Sequence, residues 1–248
     1  MAPGPGGGEL RRVTGGSGVR RAAALCALLC LALTACSPAP AKQSSTLFAM
    51  DTVMELQLYG DGAVLAESTR LITELEKELS ATDPEGGVYA FNHTGTELGK
   101  RAAELFLRAM DISRLTGGAM DITVYPVVLA WGFTTGQYRV PGDEEIAALL
   151  EKVGYAKASG FDLPQGAMID LGAVAKGYTS DLIADLWRQR GISSGLMNLG
   201  GNVYALGKKP DGSPWLVGVR DPFSDTFLGT VEAEDVAVVT SGAYERYF

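Results

Sequence analysis

The chain predicts an α+β fold, because helical patterns come first along it and strand patterns come last. Apolar residues recur at helical spacing over 63–79, 98–115 and 144–152. Alternating β-prone stretches follow at 195–204, 215–220 and 229–240, separated by Pro, Gly and Asp turns. Between the two groups, one passage runs from a short buried strand straight into a helix.

Taken in order, Arg11, Arg12, Arg20 and Arg21 precede the apolar run 22–35, which matches a signal-peptide core and is too short to span a bilayer. The run closes in Leu33-Thr34-Ala35-Cys36-Ser37, which resembles the lipobox of bacterial lipoproteins. Residues 1–35 are therefore read as a lipoprotein signal peptide and Cys36 as the lipidated first residue of the mature chain. A soluble secreted protein cut near Ala35 is the alternative. Cys26 and Cys30 fall inside the leader, so the mature chain can close no intramolecular disulfide and depends on a core. Net charge is −8, and loss of the leader's arginines leaves the body more acidic still, which argues against nucleic acid as a partner.

Residues 36–46 read as a Pro/Ala/Ser-rich tether that holds a folded body off a membrane surface. Folding is expected to begin near Thr46, with a strand over 51–59. The helix at 63–79 places Leu65, Leu71, Ile72, Leu75 and Leu79 on one face with Glu and Lys opposite, a simple core-facing element. Residues 80–92 read as a polar loop containing Thr82, Asp83, Pro84, Gly86 and Gly87. The helix at 98–115 turns Leu98, Ala102, Leu105, Phe106 and Ala109 inward and stops at Gly117-Gly118. Residues 119–126 form a β-prone run closed by Pro126, ahead of Trp131-Gly132-Phe133. Residues 167–171 are expected as a buried strand, after which Tyr178, Leu182, Ile183 and Leu186 carry a helix as far as Gly191.

That last passage holds the most chemistry. Ile169-Asp170-Leu171-Gly172-Ala173-Val174-Ala175-Lys176-Gly177-Tyr178 brings an acid, a small-residue turn and a lysine to a helix start. Free N–H groups there favour a phosphate, Gly172 and Gly177 allow close approach, and Lys176 adds a full positive charge. Asp170 beside the lysine suits a hydroxyl or a metal-bound group. Other segments are ambiguous alone. Asp121 reads as a turn acid or a site acid at the mouth of a strand, Gly200-Gly201 as a ligand-abutting turn or a β-bulge, and Met50 as a ring contact or core. Gly191-Ile192-Ser193-Ser194-Gly195 mimics a nucleophile elbow but joins a helix to a strand, the wrong order, and His93 is the only histidine. Neither a GxGxxG nor a Walker A string is present.

Five segments taken together are specific: Met50-Asp51-Thr52; the loop from Ala81-Thr82-Asp83 to Phe91-Asn92; Gly118-Ala119-Met120-Asp121-Ile122-Thr123-Val124-Tyr125-Pro126; the Asp170 to Tyr178 string; and Asn198-Leu199-Gly200-Gly201-Asn202. Their order and spacing are similar to those of the ApbE family of FAD:protein FMN transferases across essentially the whole mature chain. The resemblance implies an ApbE/T-fold-like α+β body over 47–248, with mixed sheets and packed helices. It implies an enzyme that splits the pyrophosphate of FAD, transfers FMN to a Thr or Ser of an acceptor flavoprotein subunit of an exported redox system, and releases AMP. Mg²⁺ would be bound, and Cys36 would anchor the enzyme to the extracytoplasmic face of the cell membrane.

Residue by residue, the resemblance implies FAD contacts from Met50, Ala119, Met120, Asp121, Asp170 and Lys176, and a metal-ligating carbonyl from Ala173. Thr82 stands where many relatives place an aromatic side chain, and the Gly200-Gly201 turn would abut the flavin. Relatives normally continue with a His-x-x-Asp-Pro motif and then an Asp and a Thr that complete the metal site. This sequence reads to Phe248, so the expectation is a domain incomplete at its C-terminus, with the catalytic residues beyond Phe248 and a strand edge exposed. Two alternatives stay open: a metal-dependent FAD pyrophosphatase, which would use water at the same site, and an inactive flavin-binding lipoprotein.

Overall fold

The computed structural model describes Met1 and residues 40–241, so the signal peptide, Cys36 and residues 242–248 lie outside the described residues. The chain divides into Met1–Ala39 and Pro40–Phe248, and the architecture concerns the second unit alone.

Strand β1 (Lys42–Ala49) pairs antiparallel with β2 (Thr52–Tyr59), from Lys42 opposite Tyr59 to Ala49 opposite Thr52. The expected tether therefore gives up residues 42–46 to strand β1. The cause is visible in the pattern: alternate residues Gln43, Ser45 and Leu47 turn toward the covered face, while β2 offers a complete row of backbone partners. Strands β3 (Gly195–Leu199), β4 (Asn202–Leu206) and β7 (Val236–Val239) complete a five-stranded sheet of order β1-β2-β3-β4-β7. Strands β5 (Trp215–Arg220) and β6 (Phe227–Ala233) form a separate ribbon. All five strand pairings are antiparallel, and parallel pairing among the described residues is confined to the isolated Val124–Met168 bridge.

The expected strand at 195–204 is in fact a hairpin. Gly200 and Gly201 take φ of 64° and 87°, the two left-handed positions of a two-residue turn, and the Gly201 N–H donates to Asn198 Oδ1 at 2.9 Å. A Cβ on Gly200 would lie 2.3 Å from Thr52 Oγ1, so the turn packs on the start of β2. The stretch at 229–240 likewise divides into β6 and β7, reversing at Asp235, whose φ is 49°.

Six helices accompany the strands among the described residues: α1 (Ala63–Leu79), α2 (Gly87–Thr94), α3 (Lys100–Leu115), α4 (Tyr125–Trp131), α5 (Asp143–Leu150) and α6 (Gly172–Gln189). Helices α1 and α6 cover one face of the five-stranded sheet, burying Ile72, Ile183 and Trp187 against Met54, Leu56, Leu58, Met197 and Leu199. Trp187 Nε1 donates to Ser68 Oγ at 2.8 Å, and that hydroxyl donates to the Val64 carbonyl at 2.8 Å, so the buried indole is satisfied inside the core. Residues on β4 alternate: Leu206 joins this cluster, while Ala205 joins Trp215, Val217 and Ala233 beneath the β5–β6 ribbon on the other face. A third cluster lies among the helices and includes Leu75, Phe106, Ile122, Tyr125, Ile169, Leu171 and Tyr178.

Three expectations about local structure give way here. Residues 80–92 are only partly a loop, because α2 begins at Gly87. Residues 119–126 make no strand. Asp121 Oδ1 accepts both the backbone N–H and the hydroxyl of Thr123, at 2.9 and 2.6 Å, which closes a turn, and Pro126 in the first turn of α4 suits a helix start where its missing N–H costs nothing. Residues 167–171 form no ladder of their own, joining the 122–124 segment through the Val124–Met168 bridge and the Asp170 N–H to Ile122 carbonyl bond. No helix among the described residues is long and apolar enough to cross a membrane.

Candidate active-site cleft

The C-terminal end of α1, the β1–β2 turn, α4 and the head of α6 enclose a cleft of ≈ 510 Å³. That volume lies within the range of small-molecule sites. Asp170, Gly172, Ala175 and Lys176 form one wall, Met50, Asp51 and Glu76 a second, and Tyr125, Val128 and Phe133 a third. Ser80, Ala81 and Thr82 contribute the rim, so Thr82 does face the cleft.

Asp170 is held from three directions. Its N–H donates to the Ile122 carbonyl at 2.8 Å, and its Oδ1 accepts the Gly172 N–H at 2.8 Å. The preceding residue is clamped by Asn92, whose Oδ1 accepts the Ile169 N–H while its Nδ2 donates to the Ile169 carbonyl, both at 2.8 Å. A side-chain amide thus substitutes for the neighbouring strand that the sequence led one to expect.

The head of α6 is less open than a bare helix start. Asp170 takes the Gly172 N–H, and the Leu171 carbonyl accepts from Val174 and Ala175 at 3.0 and 2.9 Å. With those donors engaged, attraction for an anion rests chiefly on Lys176. It is the cationic side chain of the lining and has no ion-pair partner among the described residues.

At the second wall, Met50 and Asp51 are the two central residues of the β1–β2 turn, with φ of 49° and 59°. Both are left-handed, a backbone state that non-glycine residues rarely take. The Met50 N–H donates to Glu76 Oε1 at 2.7 Å. At the third wall, Tyr125 is 2% exposed and its hydroxyl donates to the Ala81 carbonyl at 3.0 Å. Burial pushes the Tyr125 phenol above its ordinary value, and the negative charge of Asp170 adds to the rise. Phe133 is half-exposed, its ring near those of Trp131 and Tyr138.

The expected site residues therefore separate into two groups. Met50, Asp170 and Lys176 converge on the cleft. Ala119, Met120 and Asp121 do not line it: Ala119 is exposed, Met120 packs on the helical core, and Asp121 spends Oδ1 on Thr123 and Oδ2 on the Tyr155 N–H at 2.8 Å. They adjoin the cleft through the chain, because the Ile122 carbonyl holds Asp170. Ala173 is the exposed second residue of α6. Among the described residues no group of three or more His, Cys, Asp or Glu side chains is placed to hold a metal ion. One carbonyl does not make the octahedral oxygen set that Mg²⁺ demands, so the described residues alone do not fit that ion. Sequence reasoning missed Glu76, which looked like part of a solvated face of α1, and it gave Tyr125 and Phe133 no role.

A model of the ApbE family matches residues 50–248. An FAD:protein FMN transferase of Klebsiella pneumoniae (strain 342) is 31% identical over 213 residues, covering 80% of this chain and 66% of the relative. One from Vibrio cholerae (strain O395, Classical Ogawa) is 29% identical over 245 residues, covering 90% of this chain and 73% of the relative. The crystal structure of an ApbE protein from Thermotoga maritima superposes with a TM-score of 0.78 at 29% identity, over 84% of this chain and 72% of that one. The chain spans 66% of the Klebsiella relative, just under two thirds of its length. With four-fifths of its residues matched by the family and its α+β body shared with a solved member, the chain belongs to the ApbE family.

Proposed function

We propose that this chain transfers FMN from FAD to a Thr or Ser of an acceptor protein. The observation that carries the reading is the convergence of Met50, Asp170 and Lys176, from three distant stretches of sequence, on one cleft. The relatives' names supply the reaction. In it the acceptor hydroxyl oxygen bonds to the FMN phosphorus, the P–O bond to AMP breaks, AMP leaves with the bridging oxygen, and the hydroxyl proton passes to a base. Lys176 holds the pyrophosphate and offsets charge that builds as AMP leaves. Asp170, its carboxylate fixed by the Gly172 N–H, accepts a hydrogen bond from a cofactor hydroxyl or amide. Tyr125 and Phe133 give the cleft an aromatic wall suited to a planar ring. Asp121 supports the cleft indirectly, closing the turn whose Ile122 carbonyl holds Asp170.

Mg²⁺ belongs to the same reading: the Ala173 carbonyl would be one ligand of a set that the described residues do not complete, and a bound ion would supply charge neutralisation at the pyrophosphate. Anchorage through Cys36 on the extracytoplasmic face of a membrane rests on the lipobox-like string, and an exported redox protein as acceptor on the family resemblance. Incubation with FAD and a divalent metal, analysed by HPLC, tests the reaction class. Release of AMP that depends on acceptor is expected; FMN and AMP released equally without acceptor would instead show an FAD pyrophosphatase.

A further inference from the structure

The β1–β2 turn is built against local preference. Two-residue turns of this shape favour Asn-Gly or Gly-Gly, because both central residues must be left-handed, and the β3–β4 turn of this same sheet uses Gly200-Gly201. Met50 and Asp51 adopt the shape with side chains attached, at φ of 49° and 59°. A strained pair persists only where the surroundings over-determine it, and such pairs cluster at functional sites. Met50 packs against two hydrophobic clusters, and its backbone is held by one carboxylate. Glu76, one turn from the end of α1 and 26 residues away in sequence, accepts the Met50 N–H at 2.7 Å.

The charge balance of the cleft points the same way. Asp51, Glu76 and Asp170 bring three carboxylates to a cleft whose lining has one ammonium, that of Lys176, a poor balance for an anionic ligand unless the carboxylates are engaged. Asp170 accepts the Gly172 N–H and Glu76 the Met50 N–H, so each turns one carboxylate oxygen to a backbone donor.

We infer that Glu76 is a positioning residue, which holds the Met50-Asp51 turn in the left-handed shape that makes it a wall of the cleft. The inference rests on the flavin reading for what the turn then contacts, whereas the hydrogen bond and the strained turn are independent of it. Glu76 touches no reacting atom in this role and acts through Met50.

Two measurements on the full chain test it. Amide exchange reads the turn directly: Glu76→Ala is expected to speed exchange at Met50 about tenfold or more, and Glu76→Gln, which keeps a carbonyl acceptor, to stay near the parent. Flavin fluorescence titration with FAD reads the site: Glu76→Ala is expected to raise the Kd about tenfold, with Glu76→Gln within about threefold, the loss expected for one hydrogen bond to a charged group. A Glu76→Ala chain that keeps both Met50 protection and parental FAD affinity overturns the inference. So does loss of the native circular dichroism spectrum, which would make Glu76 a residue of the fold instead. If the parent itself binds no FAD, the flavin reading falls, and the exchange data alone decide whether Glu76 sets the turn.

Discussion

Lys176 lines the same cleft as Asp170 and has no ion pair among the described residues, and much of the proposed chemistry depends on that availability. Replacing it by Ala is expected to raise the Kd for FAD by about ten- to a hundredfold, the weight of a charge-assisted contact to phosphate, with little change in thermal stability. Fluorescence titration and a melting curve on the same samples check both halves. Asn92→Ala removes both bonds to Ile169 and leaves two backbone groups of that buried residue unpaired, for a loss of about 1–3 kcal/mol in chemical denaturation. Tyr125 carries a pH signature. Its folded pKa lies above the ordinary 10.0, so the stability it contributes is fully present below pH 10 and is lost as pH rises through the folded value. The gap in melting temperature between the parent and Tyr125→Phe should therefore narrow above about pH 10; a constant gap would refute the shift. Of these residues, Asp170 and Lys176 were legible from sequence because a strand-to-helix passage with Gly, Asp and Lys has a physical meaning by itself. Asn92 and Glu76 were not, since each acts on a backbone group far away in sequence.

Among the elements, long amphipathic segments were read well and short irregular ones were not. Helix α1 runs over the expected residues 63–79, and β5 over the expected 215–220, because periodicity is unambiguous when one face is buried. The run at 119–126 is rich in β-branched residues yet turns and enters α4, as the side-chain bonds of Asp121 and the backbone of Pro126 outweigh propensity. The hairpins at Met50-Asp51 and Gly200-Gly201 differ in the same way: the glycine pair signals a turn, and the Met-Asp pair gives no such signal. The junction of α1 and α6 offers a direct test. Ser68→Ala leaves the buried Trp187 Nε1 without its acceptor and is expected to cost about 1–3 kcal/mol. Trp187→Ala, which also opens a cavity over the sheet, should cost about 3–5 kcal/mol. Equal effects from the two substitutions would mean that packing around the indole contributes little.

For the whole molecule, the two faces of the five-stranded sheet are used differently. Helices α1 and α6 on one face bring the end of α1, the β1–β2 turn and the head of α6 to a common cleft, and the β5–β6 ribbon covers the other face away from it. The class of fold was readable from the order of helices and strands, and the family from five motifs. The cleft itself was not readable, because its walls meet only once the sheet has formed. The most direct test of flavin transfer is intact-mass measurement of an acceptor domain after incubation with this protein, FAD and Mg²⁺. The expected result is a mass gain equal to one FMN less water on a Thr or Ser of the acceptor, matched by release of AMP and abolished by Lys176→Ala. An unmodified acceptor, with FMN appearing free in solution, would contradict it.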